Sequence, residues 1–449
     1  MDRFDVIVIG AGPAGKNVAL DLVKGGLKVA IIEKDRVGGT CLNEGCIPAK
    51  LYLESSSYVS KLKHFSNYGV MVDNISFDMT QLKTKKDELL SMLRSGATRT
   101  IEKSAAQLFH GEASFIDKNS VKVGDQLLEA DKIIIASGSV HRPHPLLEID
   151  GKQIISSKEV FELDTLPKSV LVVGGGAIGC EFATFFNALG SEVHIAEFTP
   201  QIVPAEDSDV AKVLQRELQK KGIKITVNAN VTVCNKKEDS VEITMQTKKG
   251  ELTGEYELVL VSIGRSPNSV SLNLKNTAVK VDRDFVLVNK HLQTDEPNIY
   301  ALGDVIPTPA LAHAAYNEAA VLAKNILNSS TCKPSQIIPF VTFCQPQVAS
   351  VGKNEKTLKA EGIEYTATKH FFKSSAKAKI KGDDGGFIKL LCEKESGLIV
   401  GGAMIGHDTT ELIHEVLIAI EKKTTISELG DMVFAHPTLS ESLWELSTK

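Results

Sequence analysis

Apolar residues along this chain collect in short runs that stop at glycine. Val6-Ile7-Val8-Ile9 leads into Gly10-Ala11-Gly12-Pro13-Ala14-Gly15, and Val170-Leu171-Val172-Val173 leads into Gly174-Gly175-Gly176-Ala177-Ile178-Gly179. Four-residue apolar runs closed by glycine predict buried strands rather than helices. A helical stretch follows each, then a second apolar strand ending in an acid: Val29 to Glu33 in one copy, Val193 to Glu197 in the other. Each acid lies 23 residues beyond its first glycine, which makes this an internal repeat. β-rich stretches at 120–137 and 231–263 also end at glycine, in Ala136-Ser137-Gly138 and Ser262-Ile263-Gly264-Arg265, where a chain leaves a buried strand. Residues 78–104 place Leu82, Leu89, Leu90 and Leu93 at near-helical spacing among many charges, predicting a solvated amphipathic helix. From about Pro339 the glycine motifs cease. Short strands at 387–392 and 398–404 precede a helix from about Thr410 to Lys422, the pattern of a separate α+β domain.

The repeated turn has a physical reading. Its first glycine (Gly10, Gly174) allows a tight turn, its second (Gly12, Gly176) lets backbone approach a pyrophosphate, and its third (Gly15, Gly179) lets helix pack on strand. The helix start then meets phosphate charge, and the acid accepts hydrogen bonds from ribose hydroxyls. One copy alone is a weak signal, and two with the same offset predict two dinucleotide sites. Glu197 favours NAD over NADP in the second, because a carboxylate repels a 2′-phosphate and Phe198-Thr199-Pro200-Gln201 offers no arginine to hold one.

Composition narrows the class. At 449 residues the chain exceeds one core and fits about three domains. With 51 basic against 56 acidic residues, no cationic excess points to nucleic acid. No apolar run is long enough to span a bilayer, and only four residues precede Asp5, which leaves no room for a signal or transit peptide; a cytoplasmic location is the expectation. Seven scattered cysteines argue for a reducing compartment.

Cys41 and Cys46 stand apart from the rest, within Gly38-Gly39-Thr40-Cys41-Leu42-Asn43-Glu44-Gly45-Cys46-Ile47-Pro48-Ala49-Lys50. In an ideal helix residues five apart have Cα atoms about 8.6 Å apart, and a disulfide requires roughly 4.4–6.8 Å. A bond between them therefore requires a distorted helix, with Gly45 free to bend and Pro48 lacking the amide that would bond back to Glu44. Thr40 is the expected N-cap, placing Cys41 in the first turn, where the dipole favours thiolate. No cysteine or histidine at ligand spacing accompanies the pair, so no metal site is expected. Cys180, Cys234, Cys332, Cys344 and Cys392 are read as packing residues.

These motifs, in order, resemble those of the pyridine nucleotide-disulfide oxidoreductases, and among them the dihydrolipoamide dehydrogenases. The resemblance runs nearly end to end: Gly10 to Gly15, Gly39 through Lys50, Gly174 to Gly179, Gly264-Arg265-Ser266-Pro267-Asn268, Tyr300-Ala301-Leu302-Gly303-Asp304 and His436-Pro437-Thr438-Leu439-Ser440-Glu441. It implies two Rossmann-like α/β domains and a C-terminal α+β dimerisation domain: FAD-binding at 1–145 with 266–336, NAD-binding at 146–265, and the interface at 337–449. FAD is expected against Gly10, Gly12, Gly15, Glu33, Lys50, Gly138, Asp304 and His313, with Asp304 on its ribitol. NAD is expected against Gly174, Gly176, Gly179, Glu197 and Gly264.

The same resemblance places Cys46 against the flavin and leaves Cys41 to exchange with substrate. It pairs Lys50 with Glu181 near flavin N5, starts a helix at Leu311-Ala312-His313 pointing at the flavin, and delivers His436, held by Glu441, to the partner chain of a homodimer. Histidine titrates near neutral pH, which suits the base that dithiol oxidation requires. The expected reaction is dihydrolipoamide plus NAD⁺ to lipoamide plus NADH. Its partner is then lipoamide or the lipoyl domain of a 2-oxo acid dehydrogenase or glycine cleavage complex. Departures stand at Phe434, where the lipoamide enzymes often carry histidine, and at Phe343-Cys344-Gln345-Pro346-Gln347. Glu197 weighs against glutathione and trypanothione reduction, and the lack of cysteine after Cys392 against mercuric reduction. Two alternatives stay open: an NADH-linked reductase of another small disulfide, and a flavoprotein serving mainly as a structural or redox-sensing component of a multienzyme complex.

Overall fold

The computed structural model describes residues 2–448. The chain divides into two compact units, one formed by the segments up to Leu51, Thr80–Arg142 and Gly264–Gln336, the other by Tyr52–Met79, Pro143–Ile263 and the chain from Ile337 on.

In the first unit the strand Asp2–Ile9 lies between Val29–Glu33 and Gln126–Ile135, parallel to both, with Ile9 opposite Ile32 and Ile135. Gln107–His110 extends one edge, Ile299–Ala301 pairs parallel with Gln126–Ile135, and Ser120–Val123 and Ala113–Phe115 complete the sheet antiparallel. Val29–Glu33 is buried at every position. Such unbroken burial is what helices on both faces of a parallel sheet require, and it explains why these strands read as continuous apolar runs. The helices Pro13–Lys24 and Ala312–Asn328 pack together against this core, the latter beginning where the His313 segment predicted. Met79–Glu102 is the expected amphipathic helix, with Leu82 and Leu90 buried among exposed charges.

The second unit contains an all-parallel sheet in the order Lys224–Val227, Glu192–Glu197, Ser169–Val173, Leu258–Val261 and Ile154–Ile155. A three-stranded antiparallel meander, Asn230–Lys236, Val241–Thr247 and Gly250–Tyr256, accompanies it. Its remaining sheet is antiparallel, in the order Phe340–Thr342, Gln347–Gly352, Ile399–Gly406, Phe387–Glu393, Tyr365–Phe371, and is packed by the helix Thr409–Glu421. Lys389, fully buried in this sheet, donates to Asp207 at 2.7 Å, Glu355 at 2.8 Å and Asp209 at 3.0 Å. Burial alone would lower its pKa, but these bonds outweigh it and push it up to about 12. The ammonium occupies the centre of the carboxylate cluster where a cation would otherwise sit. Among the described residues no helix is long and apolar enough to cross a membrane.

Candidate active site

The redox segment is broken where the cysteine spacing requires. One short helix covers Gly39–Asn43, Glu44 leaves helical geometry at φ −142°, and a second helix runs Cys46–Leu62. The N-cap is Gly38 rather than the expected Thr40. Gly38 and Gly39 both take positive φ, +102° and +57°, a bend that a β-branched residue resists, so the helix starts two residues early and Cys41 becomes its third residue. Gly39 has a further constraint: a Cβ there would lie 2.8 Å from the Gly12 Cα. Asn43, buried, clamps the bend by donating to the carbonyls of Gly39 at 2.9 Å and Val37 at 3.2 Å, a role the sequence did not reveal.

Within this bend Cys41 is half-buried and Cys46 exposed, both as thiols, and their side chains are in hydrogen-bond contact. Donation to Cys46 and burial both raise the Cys41 pKa, while the Lys50 ammonium pulls it down. These influences favour the protonated sulfur at Cys41, against the thiolate that its place in the first helical turn predicts. Tyr316, on the helix that begins at Ala312, lies within the electrostatic reach of both sulfurs, which the sequence reading missed.

Around the first glycine turn, Gly15 is obligatory because a Cβ would meet the Gly10 carbonyl oxygen at 1.9 Å. Glu33 closes the turn, its two oxygens accepting from the Ala11 amide at 2.8 Å and the Asp35 amide at 2.9 Å. Asp304 Oδ2 accepts from the Ser139 hydroxyl at 2.6 Å, and the Gly303 amide donates to the buried carboxylate of Glu318 at 2.7 Å. The strands Ser139–His141 and Arg265–Pro267 pair antiparallel, and the Asn268 amide donates to the Gly138 carbonyl at 2.9 Å, joining two glycine exits that the sequence left apart. Gly264 is thus packed in this unit, beside the Arg142 guanidinium.

The second turn repeats the first. A Gly179 Cβ would meet the Gly174 oxygen at 1.9 Å, and Glu197 accepts from the Gly175 amide at 2.6 Å and the Thr199 amide at 2.7 Å. Among the described residues nothing lies within 4 Å of where a Gly176 Cβ would be. Both motif helices start without a side-chain cap, leaving first-turn amides for an anion. Uncapped amides and a buried acid fit a dinucleotide at each turn, and at the second the Gly176 backbone is open as well. Glu181, buried on the second motif helix, accepts from the Phe343 amide at 2.9 Å, so it lies in the second unit while Lys50 belongs to the first. His436 is exposed, and its Nδ1 lies 2.8 Å from Glu441 Oε1, whose other oxygen accepts from the Thr438 amide at 2.8 Å. These bonds lower the Glu441 pKa, backbone donation first.

Sequence profiles of the pyridine nucleotide-disulphide oxidoreductases match residues 4–319, and those of the same family's dimerisation domain match residues 338–447. The chain belongs to this family. It is 36% identical to dihydrolipoyl dehydrogenase 1, mitochondrial, of Arabidopsis thaliana, over 99% of this chain and 90% of that protein. It is 35% identical to dihydrolipoyl dehydrogenase of Bacillus subtilis, over 98% and 96%. Among solved structures, the HOCl-induced flavoprotein disulfide reductase RclA of Escherichia coli superposes with a TM-score of 0.89 at 26% identity, covering 99% of both chains. The protein is accordingly a flavin-dependent disulfide oxidoreductase that uses FAD and NAD(H), with a dimerisation domain at its C-terminal end.

Proposed function

We propose that this oxidoreductase oxidises dihydrolipoamide with NAD⁺, through Cys41 and Cys46. The observation that carries the reading is the broken helix, which brings two cysteines five residues apart into hydrogen-bond contact. Starting from the Cys41–Cys46 disulfide, a substrate thiolate attacks the Cys41 sulfur and releases Cys46 as thiolate. The second substrate thiol then displaces Cys41, giving lipoamide and the dithiol. His436 of a partner subunit would take the attacking thiol's proton at Nε2, its Nδ1 held by Glu441, while the second substrate proton passes to Cys41 as it leaves. Such a base is needed because the substrate attacks as thiolate and a thiol near neutral pH is mostly protonated. FAD, when bound, relays the electron pair from the dithiol to NAD⁺.

In this reading Gly10, Gly12, Gly15, Glu33, Gly138, Asp304 and His313 hold FAD in a domain of residues 1–145 and 266–336. Gly174, Gly176, Gly179, Glu197 and Gly264 serve NAD around 146–265, and residues 337–449 form the subunit interface. Lys50 and Glu181 would flank the flavin. The similarity to dihydrolipoyl dehydrogenases over nearly the whole chain supports lipoamide, free or on the lipoyl domain of a 2-oxo acid dehydrogenase or glycine cleavage complex. Phe434, partly buried against the C-terminal core, and the similarity to RclA favour a second reading, NADH-linked reduction of another small disulfide.

The Cys46→Ser protein is expected to lose dihydrolipoamide-dependent NADH formation entirely. His436→Gln is expected to retain it at about a hundredth of the rate. Parallel assays of lipoamide and glutathione disulfide with NADH and NADPH decide the substrate. A Cys46→Ser protein turning over at the normal rate ends the thiol mechanism, and preference for a disulfide other than lipoamide ends the lipoamide reading.

A further inference from the structure

Three hydrogen bonds tie together residues far apart in sequence beside the redox pair. Arg265 Nε donates to Ser139 Oγ at 2.6 Å, Arg265 Nη2 donates to the Ser139 carbonyl at 2.7 Å, and Ser139 Oγ donates to Asp304 Oδ2 at 2.6 Å. Their direction is fixed by chemistry. A guanidinium has no acceptor, so Ser139 must accept from Arg265, and its single hydroxyl proton is then committed to Asp304. The cation polarises that hydroxyl, strengthening the second bond. The backbone confirms that this is a built arrangement. Arg265–Pro267 pairs with Ser139–His141, Asn268 Nδ2 donates to the Ser137 carbonyl at 3.3 Å, and Glu318 holds the Gly303 amide from the other side of the Asp304 turn.

We propose that Ser139 and Arg265 are positioning residues for Asp304, forming a one-way hydrogen-bond relay that fixes its rotamer and leaves Oδ1 as the oxygen for a cofactor hydroxyl. This rests on the reading of Asp304 as the flavin-facing carboxylate. A carboxylate held by one oxygen keeps the other preorganised, so the ordering cost is met before the cofactor arrives. Among the described residues Arg265 makes no hydrogen bond to Asp304, so its contact with the carboxylate runs through the serine, while its charge reaches Asp304 first, then Glu44 and Cys46.

The test follows flavin release from purified holoprotein by the recovery of flavin fluorescence. Ser139→Ala and Arg265→Met are each expected to release FAD about tenfold faster, the scale of one hydrogen bond to a charged group. The double variant should be no faster than the single ones, because each breaks the same relay. Ser139→Thr, which keeps the hydroxyl, should restore the normal rate. The thermal midpoint of the flavin-free protein should be the same in all four, which a purely structural role would not give. A wild-type release rate in Ser139→Ala, or a hundredfold multiplicative effect in the double variant, overturns the relay while leaving the flavin reading intact. Should Ser139→Ala not fold, Arg265→Met alone carries the test, and normal release from it overturns the relay. Wild-type protein purified without any flavin overturns both.

Discussion

The two glycine turns are near copies in their strain and differ in what covers them. Gly10 and Gly174 take φ of +107° and +105°, and a Cβ at either would strike a carbonyl of the neighbouring strand's exit, Ala136 at 2.3 Å or Ser262 at 2.5 Å. Each acid folds back onto the second residue of its turn. In the first copy, however, Gly12 meets Gly39 of the redox segment, whereas Gly176 faces open space. The same glycine turn is covered in one place and open in the other. Under the proposed function a covered turn suits a cofactor that stays, and an open one suits a dinucleotide that exchanges on each turnover.

The largest effect expected from this comparison comes from the third glycine. Gly15→Ala and Gly179→Ala each place a Cβ 1.9 Å from a backbone oxygen that cannot move without opening the turn. Each should cost about 4 kcal/mol locally, near the top of the range for single substitutions. The consequences should separate. Gly15→Ala is expected to be purified without flavin, and Gly179→Ala to keep its flavin, still accept electrons from dihydrolipoamide, and fail to pass them to NAD⁺. Absorbance of the purified proteins at flavin wavelengths and single-turnover reduction measure both, and flavin loss from both variants alike would break the distinction.

A finer cut uses the covers themselves. Gly39→Ala combines a φ of +57° with a Cβ 2.8 Å from the Gly12 Cα, and should lower stability by about 3 kcal/mol and loosen flavin together. Gly176→Ala introduces no protein clash, because φ is −73° and nothing lies nearby. Its thermal midpoint should match wild type, while the KM for NAD⁺ rises about tenfold as the methyl crowds the pyrophosphate approach. An unchanged KM would show that Gly176 is a turn residue without a ligand beside it.

Much of this was legible because it is local. Four-residue apolar runs ending in glycine, an acid at a fixed offset, and a cysteine pair with Gly45 between them each declare themselves within some 25 residues, and the repeated strands and the broken helix stand where those signals put them. The cap of the redox helix was misplaced because Thr40 is a good N-cap in isolation, whereas the tertiary approach of Gly39 to Gly12 decides where the chain bends. The Ser139 relay was invisible for a different reason. Its bonds to Asp304 and Arg265 span 165 and 126 residues, and no short-range pattern marks a serine as the link between them. Glu318 is hidden likewise, an ordinary helical glutamate until the Gly303 amide is seen to point at it.

The smallest effect concerns pH and belongs to the unit that carries the second turn. Glu206, downstream of Glu197, is buried and accepts from the Ser350 hydroxyl at 3.0 Å; burial pushes its pKa up to about 7 from 4.5, against the opposing pull of Ser350 and Lys389. A carboxyl that holds its proton more tightly when folded stabilises the fold fully below the unfolded value, and that stability is lost as pH rises through the folded one. The loss therefore falls between about pH 4.5 and 7 and amounts to about 2 kcal/mol, allowing for partial hydration of the ion. Glu206→Gln removes it, so the variant should melt at the wild-type temperature at pH 5 and several degrees higher at pH 8. His194, pushed down to about 4 by burial, works oppositely, losing stability as pH falls from 6.5 toward 4, but it is present in both proteins and cancels. Thermal melts of the flavin-loaded proteins at the two pH values decide it: a gap of the same size at both would mean that Glu206 is ionised throughout, and that its burial costs this unit the same at every pH.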